Sequence, residues 1–172
     1  MKQKLTARDV LAAAQEERET ILAHRRTIHR CPEVGQDLPR TAAYIAGELK
    51  KLGYQPQALG GGLVAAITGQ NTGRCVLLRA DMDALAMTEQ TELPFRAENG
   101  RMHACGHDMH ASMLLGAARL LRERQEELQG TVKLVFQPDE EGFTGAKTML
   151  AAGVLRDPAP QAAMALHVNS GT

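Results

Sequence analysis

The segment TVKLVFQPDEEGFTGAKTMLAAGVL, residues 131–155, contains a predicted strand, an acidic turn and a predicted helix. The strand, 131–137, is rich in β-branched residues and carries an apolar run rather than strict polar alternation, which is typical of a strand buried on both faces. The helix covers 143–155 and closes at Gly153, where a C-terminal cap is expected. A buried strand followed directly by a helix is typical of an α/β protein.

The alternation of strands and helices continues on both sides of this segment. Apolar runs predict three further strands, GLVAAITG (62–69), CVLLRAD (75–81) and AAMALHV (162–168). Apolar residues at helical spacing predict three further helices, over 7–30, 41–52 and 109–128. We therefore expect an α/β fold in which a mixed sheet is covered by helices on both faces.

Composition limits the classes of function that this chain can have. Its 172 residues correspond to one domain, and its 20 basic residues balance 20 acidic ones, so no charge excess favours nucleic acid or an anionic membrane as partner. The N-terminus is crowded with charges and resembles no signal peptide, and no stretch approaches the ~18 apolar residues of a membrane span. Three widely spaced cysteines fit a reducing cytoplasm. We expect Cys31 and Cys75 to be buried thiols.

Polar side chains follow several of the predicted strands. Asp81 and Asp83 end one strand, an acidic run at 139–141 follows another, and His167 lies in the last. Ligands of open α/β sheets bind at the carboxyl ends of strands, so these residues are expected at one edge. The two aspartates can serve a metal site, orient a ligand or cap the following turn. A lone histidine in an apolar strand is more often a core residue, and His167 is a ligand candidate because the other clusters converge on it.

The densest cluster of metal-ligating residue types is MHACGHDMH, 102–110. Cys105 and His107 flank Gly106, whose missing side chain permits a tight turn that lets both face one ion. Thiolate and imidazole together suit zinc and, to a lesser degree, other divalent metals. The alternative is a helix N-terminus with polar caps and a buried cysteine.

The acidic turn lies within FQPDEEGFTGA, 136–146. Adjacent side chains at the end of a strand point in different directions, and Glu140 and Glu141 are adjacent. One of them can then bind a metal while the other acts as general base on a water molecule. A solvated acidic turn is the alternative interpretation.

The remaining histidines carry weaker signals. His24 is interpreted as a solvated helix residue, and His29 as a residue that can pack near the site. His103 has no partner pattern. His110 follows His107 by three positions, which places it nearby on a helix and suggests a packing or outer-shell role.

Five segments together resemble, in order and spacing, the hippurate hydrolase-like amidohydrolases of the aminoacylase and carboxypeptidase clan. That group includes indole-acetyl-amino-acid hydrolases, N-acyl-amino-acid amidohydrolases and N-acetyldiaminopimelate deacetylases. The resemblance implies a zinc-exopeptidase-like three-layer α/β/α fold and hydrolysis of N-acyl amino acids. It rests on RRTIHRCPEVGQDLPRTAAYIAGELKKLGY, LLRADMDALAMTEQTELPF, GRMHACGHDMHASMLLGAARLL, GTVKLVFQPDEEGFTGAKTML and AMALHV.

The resemblance also implies two divalent ions, zinc or manganese, with cobalt or nickel possible. Their ligands are expected to be Cys105, His107, Glu141 and His167. Those ions would polarise the amide carbonyl and lower the pKa of the water that bridges them.

Three carboxylates receive catalytic roles from the same resemblance. Glu140 is expected to be the general base that deprotonates the bridging water and passes the proton to the leaving amine. Asp83 aligns with an aspartate that orients a metal-bound group, and Asp81 with a ligand position that is histidine elsewhere in the clan.

Two local departures, Cys31 for histidine and Ala86 for proline, remove no ligand. Full-length relatives are considerably longer, with a lid and dimerisation domain after the segment that ends near His167 and a further histidine ligand beyond it. We expect residues 1–172 to be the N-terminal portion of the catalytic domain, truncated before the lid and poorly active or inactive alone. The alternatives are a catalytically silent remnant that binds metal or a partner, and a structural zinc module, which the paired glutamates disfavour.

Overall fold

Each predicted strand and helix corresponds to an element of the computed structural model, which describes residues 6–71 and 73–169. Residues 1–5, Thr72 between the second and third strands, and residues 170–172 lie outside the described residues. The helices are α1 (Ala7–Glu16), α2 (Arg18–His29), α3 (Pro39–Lys51), α4 (His107–Glu123) and α5 (Gly145–Ala151). The strands are β1 (Gln57–Leu59), β2 (Gly62–Thr68), β3 (Cys75–Asp81), β4 (Thr131–Gln137) and β5 (Ala162–Ala165).

The strands form one mixed sheet in the order β1-β2-β4-β3-β5. β3 is parallel to both β4 and β5, whereas β1 and β2 form an antiparallel hairpin and β2 is antiparallel to β4. The register places Asp81 opposite Gln137, so β3 and β4 end at the same level. The expected mixed sheet is therefore confirmed, and its parallel part brings the carboxyl ends of three strands to one edge.

Helices cover both faces of the sheet, which confirms the three-layer prediction. The larger core lies between the sheet and helices α2, α3 and α4, and its centre is fully buried at Ile45, Leu49, Leu134 and Phe136. On the opposite face, Met149 of α5 belongs to a smaller buried cluster with residues of β3 and β4. The alternating side chains of each central strand supply both cores, which is why these strands lack polar alternation.

Several element boundaries differ from the predictions. The predicted helix 7–30 consists of two helices, because the backbone at Glu17 has a ψ of −1° and bends the chain. An ion pair from Arg119 of α4 to Glu17, 3.0 Å long, lies at this bend. The predicted helix 143–155 and strand 162–168 are shorter than expected, and the short strand β1 carries no apolar run that could have revealed it.

The edge strand β5 is exposed along its whole length. It pairs with β3 on one side only, and Met164 and Leu166 present 59% and 62% of their surface to solvent. An unpaired apolar edge favours association with another polypeptide segment. In the part of the chain that the structure describes, no helix is both long and apolar enough to cross a membrane.

Tyr54 provides a test of the larger core. Its hydroxyl donates to the carbonyl of Ala118 at 2.8 Å, and burial raises its pKa to about 12. Because ionisation is easier in the unfolded chain, the free energy of unfolding should fall as pH rises from 10 towards 12, by on the order of 2 kcal/mol. Tyr54→Phe should cost about 1 kcal/mol at neutral pH and remove that decline.

Urea unfolding of both proteins at pH 7 and across pH 9–12 measures these effects. Tyr44→Phe is the matched control, since Tyr44 is only partly buried. An equally steep decline in the Tyr54→Phe protein would contradict the assignment.

Candidate metal centre

The predicted polar residues meet at one edge of the sheet. Asp81 ends β3, the acidic turn follows β4, and His167 lies two residues beyond β5. The N-terminus of α4 reaches the same edge and adds His107 as its first residue. The parallel arrangement of the three strands is the reason that residues distant in sequence become neighbours.

Gly106 shapes the start of α4. Its φ of 91° lies in the left-handed region that favours glycine, and a Cβ atom there would lie 2.5 Å from Cγ2 of Val168. The glycine therefore permits both the sharp turn between Cys105 and His107 and the close approach of the segment that carries His167.

His107 lies at the centre of the cluster. Its Nδ1 donates to the backbone carbonyl of Asp83 at 3.0 Å and lies 3.3 Å from the Asp83 carboxylate. This contact leaves Nε2 with a free lone pair, and Nε2 is buried without a hydrogen-bond partner among the described residues. Nε2 lies 3.7 Å from the carboxylate of Glu140 and 3.8 Å from that of Glu141.

Cys105 and His167 face each other across the same space. Sγ of Cys105 lies 3.4 Å from Nε2 of His167, although 62 residues separate them. Nδ1 of His167 donates to the carbonyl of Val168 at 2.6 Å, so its Nε2 is also the nitrogen with a free lone pair.

The acidic turn follows β4 as predicted, but the side chains of its two glutamates approach the same atom instead of pointing in different directions. β4 ends at Gln137, so Glu140 and Glu141 belong to a turn and do not alternate as strand residues do. Asp139 and Phe143 adopt left-handed backbone in this turn, with φ of 47° and 57°. Both glutamates consequently reach towards His107 at nearly equal distances, and geometry alone does not separate ligand from base.

The potential ligand atoms lie close enough together to contact a shared metal ion. Potential ligand atoms lie within 4.8 Å of one another in the group Cys105, His107 and His167, and again in the group His107, Glu140 and Glu141. Sulfur, imidazole and carboxylate donors suit zinc and related divalent metals. The residues therefore fit a metal centre, and the unpartnered Nε2 atom of His107 points to the same conclusion.

The electrostatics of the cluster also favour cations. Burial and the carboxylates of Glu141, Glu140 and Asp81 raise the pKa of the Cys105 thiol to about 11, because each disfavours another negative charge. Bound divalent cations supply the opposite charge, and coordination deprotonates a thiol.

Asp83 is buried beneath the cluster and contacts two of its members. Besides His107, it accepts a hydrogen bond from the backbone N–H of Glu141 at 3.1 Å. Burial opposes ionisation of Asp83, but the hydrogen bonds from His107 and from the backbone of Glu140 and Glu141 outweigh it and lower its pKa. Asp83 thus remains an acceptor at neutral pH.

Asp81 is also buried, but its carboxylate already has partners. Arg79 forms an ion pair with it at 2.9 Å, and Nδ1 of His110 lies 2.5 Å away. Arg79 is absent from the sequence-based predictions. Its position two residues before Asp81 on the same strand face is the signal that could have identified it.

Sequence patterns provide only weak signals for the environments of the other histidines and cysteines. His24 is half-buried and bonds the hydroxyl of Tyr44 at 2.8 Å, so its interpretation as a solvated residue was wrong. His29 is buried between two carboxylates, and the buried ring nitrogens of His103 have no hydrogen-bond partner among the described residues. Cys31 is exposed, contrary to expectation, because it follows the end of α2 on the surface, whereas Cys75 is buried.

Asp83→Asn is expected to weaken metal binding about 10- to 100-fold, because residues that orient ligands contribute at that level. An amide has a single acceptor oxygen, so it cannot accept from both His107 Nδ1 and the Glu141 N–H, and one of these two residues loses its support. Competition titration with a chromophoric chelator measures the affinity, and Glu123→Gln at the far end of α4 is the control. Unchanged affinity in the Asp83 variant would contradict the orienting role.

Comparison with known proteins gives consistent matches. The sequence model of a family described as peptidase family M20/M25/M40 matches residues 77–172. The chain is 49% identical over 150 residues to IAA-amino acid hydrolase ILR1-like 4 of Arabidopsis thaliana. That alignment covers 85% of this chain and 33% of the relative. It is 44% identical over 138 residues to N-acetyl-L-cysteine deacetylase of Bacillus subtilis, with 78% and 33% coverage.

Solved structures include similar folds. A Bacillus subtilis protein described as a dinuclear metal binding peptidase from the M20 family superposes with a TM-score of 0.84 and 36% identity, over 92% of this chain and 44% of that one. The chain thus spans about a third of the length of the curated relatives described above.

Proposed function

This chain belongs to peptidase family M20/M25/M40, and we propose that it is the metal-binding part of an amidohydrolase that acts on N-acyl amino acids. The reaction cleaves the bond between the acyl carbon and the amino-acid nitrogen and releases a carboxylic acid and an amino acid. The names of two relatives, an IAA-amino acid hydrolase and an N-acetyl-L-cysteine deacetylase, support this substrate class. The observation that carries the proposal is the convergence of Cys105, Glu141 and His167 on the unpartnered Nε2 atom of His107.

We propose that Cys105, His107, Glu141 and His167 hold two divalent ions. The thiolate favours zinc, and the carboxylates also accept manganese, cobalt or nickel. When bound, such ions polarise a substrate carbonyl and make water a stronger acid. The description of the similar B. subtilis structure as dinuclear supports the number of ions.

Glu140 is the proposed general base. Its side chain is 35% exposed, so solvent can reach it, and its carboxylate lies 3.7 Å from His107 Nε2, beside the proposed ions. It takes a proton from the attacking water and delivers it to the nitrogen of the departing amino acid, which could not leave as an anion. Asp83 holds His107 and the backbone of Glu141 in position, and Asp81 supports the centre from beneath through His110.

We propose that residues 1–172 correspond to the N-terminal portion of the dimetal catalytic domain of a longer protein. The greater length of the relatives supports this assignment. A lid and dimerisation domain and the remaining catalytic portion would then determine acyl and amino-acid selectivity. The balanced charge of the chain supports a small-molecule substrate rather than nucleic acid or a membrane surface, and its unpaired cysteines support a cytoplasmic location.

Metal titration combined with a hydrolysis assay tests the proposal. Calorimetry with Zn²⁺ and Mn²⁺ should give two ions per chain. The loaded protein should release amine from hippurate, N-acetyl and indole-acetyl amino acids, more slowly than a full-length relative but faster than the metal-free protein. Fewer than two ions, or hydrolysis that ignores metal, would contradict the proposal.

The exposed edge of β5 supports a second candidate, a catalytically silent remnant that retains partial metal binding or associates with a partner. One bound ion or none, without metal-dependent release of amine, would favour this candidate over hydrolysis.

A further inference from the structure

His167 lies on a segment with little support of its own. β5 is four residues long, is exposed throughout and ends at Ala165, and the imidazole of His167 is itself exposed. Yet this imidazole is held 3.4 Å from Sγ of Cys105. A contact beyond the β5 ladder must therefore fix the backbone near His167.

His110 makes that contact. It is 3% exposed, and its Nε2 accepts a hydrogen bond from the backbone N–H of Val168 at 2.9 Å. Its Nδ1 donates to the carboxylate of Asp81 at 2.5 Å, and its ring lies 4.8 Å from that of His167 in an edge-on arrangement. Since an amide N–H can only donate, Nε2 must be the acceptor and Nδ1 must carry the proton.

Asp81 anchors this imidazole to the centre of the sheet. Arg79 pairs with the other Asp81 oxygen at 2.9 Å and also donates to the side chain of Gln137 at 3.0 Å. β3 and β4 therefore connect through Asp81 and His110 to the backbone beside His167. Val168 also packs directly over Gly106, which completes the connection to the Cys105 loop.

We propose that His110 is a positioning residue that sets His167 opposite Cys105 through the backbone of Val168. This inference rests on the proposed metal centre. Asp81, His107 and His110 also lie close enough together to suggest an ion site. However, both nitrogens of His110 already have hydrogen-bond partners, so neither offers a lone pair to a metal.

Two readouts test the inference, one of which needs no metal. In the metal-free protein, hydrogen exchange of the Val168 amide should be at least about tenfold faster in His110→Phe than in wild type, because the acceptor is lost. Titration with Co²⁺ should show about 10- to 100-fold weaker binding in the same variant. His110→Gln, which offers both a donor and an acceptor, should restore much of both properties.

The controls separate positioning from general destabilisation. His24→Phe removes a histidine of α2 that is hydrogen-bonded to Tyr44, and it should change neither readout. If His110→Phe does not fold, Val168→Pro deletes the N–H donor while leaving the buried histidine intact, and Val168→Ala keeps the donor. Val168→Pro should then weaken Co²⁺ binding, and Val168→Ala should not.

A double variant decides whether His110 acts through His167. His110→Phe combined with His167→Ala should bind Co²⁺ as His167→Ala does alone. Additive losses, unchanged Val168 exchange, or unchanged Co²⁺ affinity in His110→Phe would each overturn the inference while leaving the metal centre standing. A wild-type protein that binds no Co²⁺ would overturn the proposed function as well.

Discussion

Replacing His107 by alanine is expected to weaken binding of divalent metal by more than about 100-fold, beyond the loss caused by removing a residue that merely orients a ligand. Nε2 of His107 is the atom on which the cysteine, the second histidine and both glutamates converge. Without it, the carboxylates of Asp81, Glu140 and Glu141 and a thiol with raised pKa surround a space that lacks the central imidazole nitrogen.

Calorimetry with Zn²⁺ and the absorption spectrum of the Co²⁺ complex measure the loss. Circular dichroism checks that α4 still forms, and His24→Ala serves as the histidine control because His24 lies on α2. Affinity within tenfold of wild type would place the metal centre elsewhere in the protein.

Replacing Glu140 by glutamine is expected to lower hydrolysis by about 10²- to 10⁴-fold while both ions remain bound, because an amide can no longer accept the proton. Glu141→Gln provides the matched comparison. It should instead weaken metal affinity, since a neutral amide oxygen is a poorer ligand than a carboxylate.

This pair of variants distinguishes the general base from the metal ligand, which the interatomic distances do not distinguish. The two carboxylates lie 3.7 and 3.8 Å from the same nitrogen, so the proposed division between base and ligand comes from the family resemblance and not from distance. Measuring metal stoichiometry and amine release for both proteins gives the answer. If Glu140→Gln lost an ion and Glu141→Gln kept both, the two roles would have to be exchanged.

Much of the fold was predictable because the central strands are buried on both faces. Their apolar runs identified β2, β3 and β4, and helical periodicity identified α3 and α4. The bend at Glu17 is marked by neither proline nor glycine. The three-residue strand β1 has no apolar run, although Pro56 precedes it and Gly60 and Gly61 form its turn to β2. The family resemblance, which depends on the order of five motifs, is confirmed by the family match.

The candidate site was predicted less completely than the fold. Cys105 and His107 flank Gly106 in one motif, so their proximity follows from local geometry. The approach of His167 to Cys105 was an expectation that depended on the parallel pairing of β3 with β5, and the contacts confirm it at 3.4 Å. The partners of Asp81 were not foreseen, because ion pairs between side chains leave no periodic signal.

The sequence by itself determined the alternation of strands and helices, the metal-ligating residue types and their placement at strand ends. These properties follow from local periodicity, from turn-forming residues and from the side-chain groups of each residue, which do not depend on the fold. Only the tertiary structure decided that Glu140 and Glu141 both approach Nε2 of His107 and that His110 holds the backbone next to His167. Such contacts depend on strand order and register, which arise when the whole sheet is packed and which no single segment specifies.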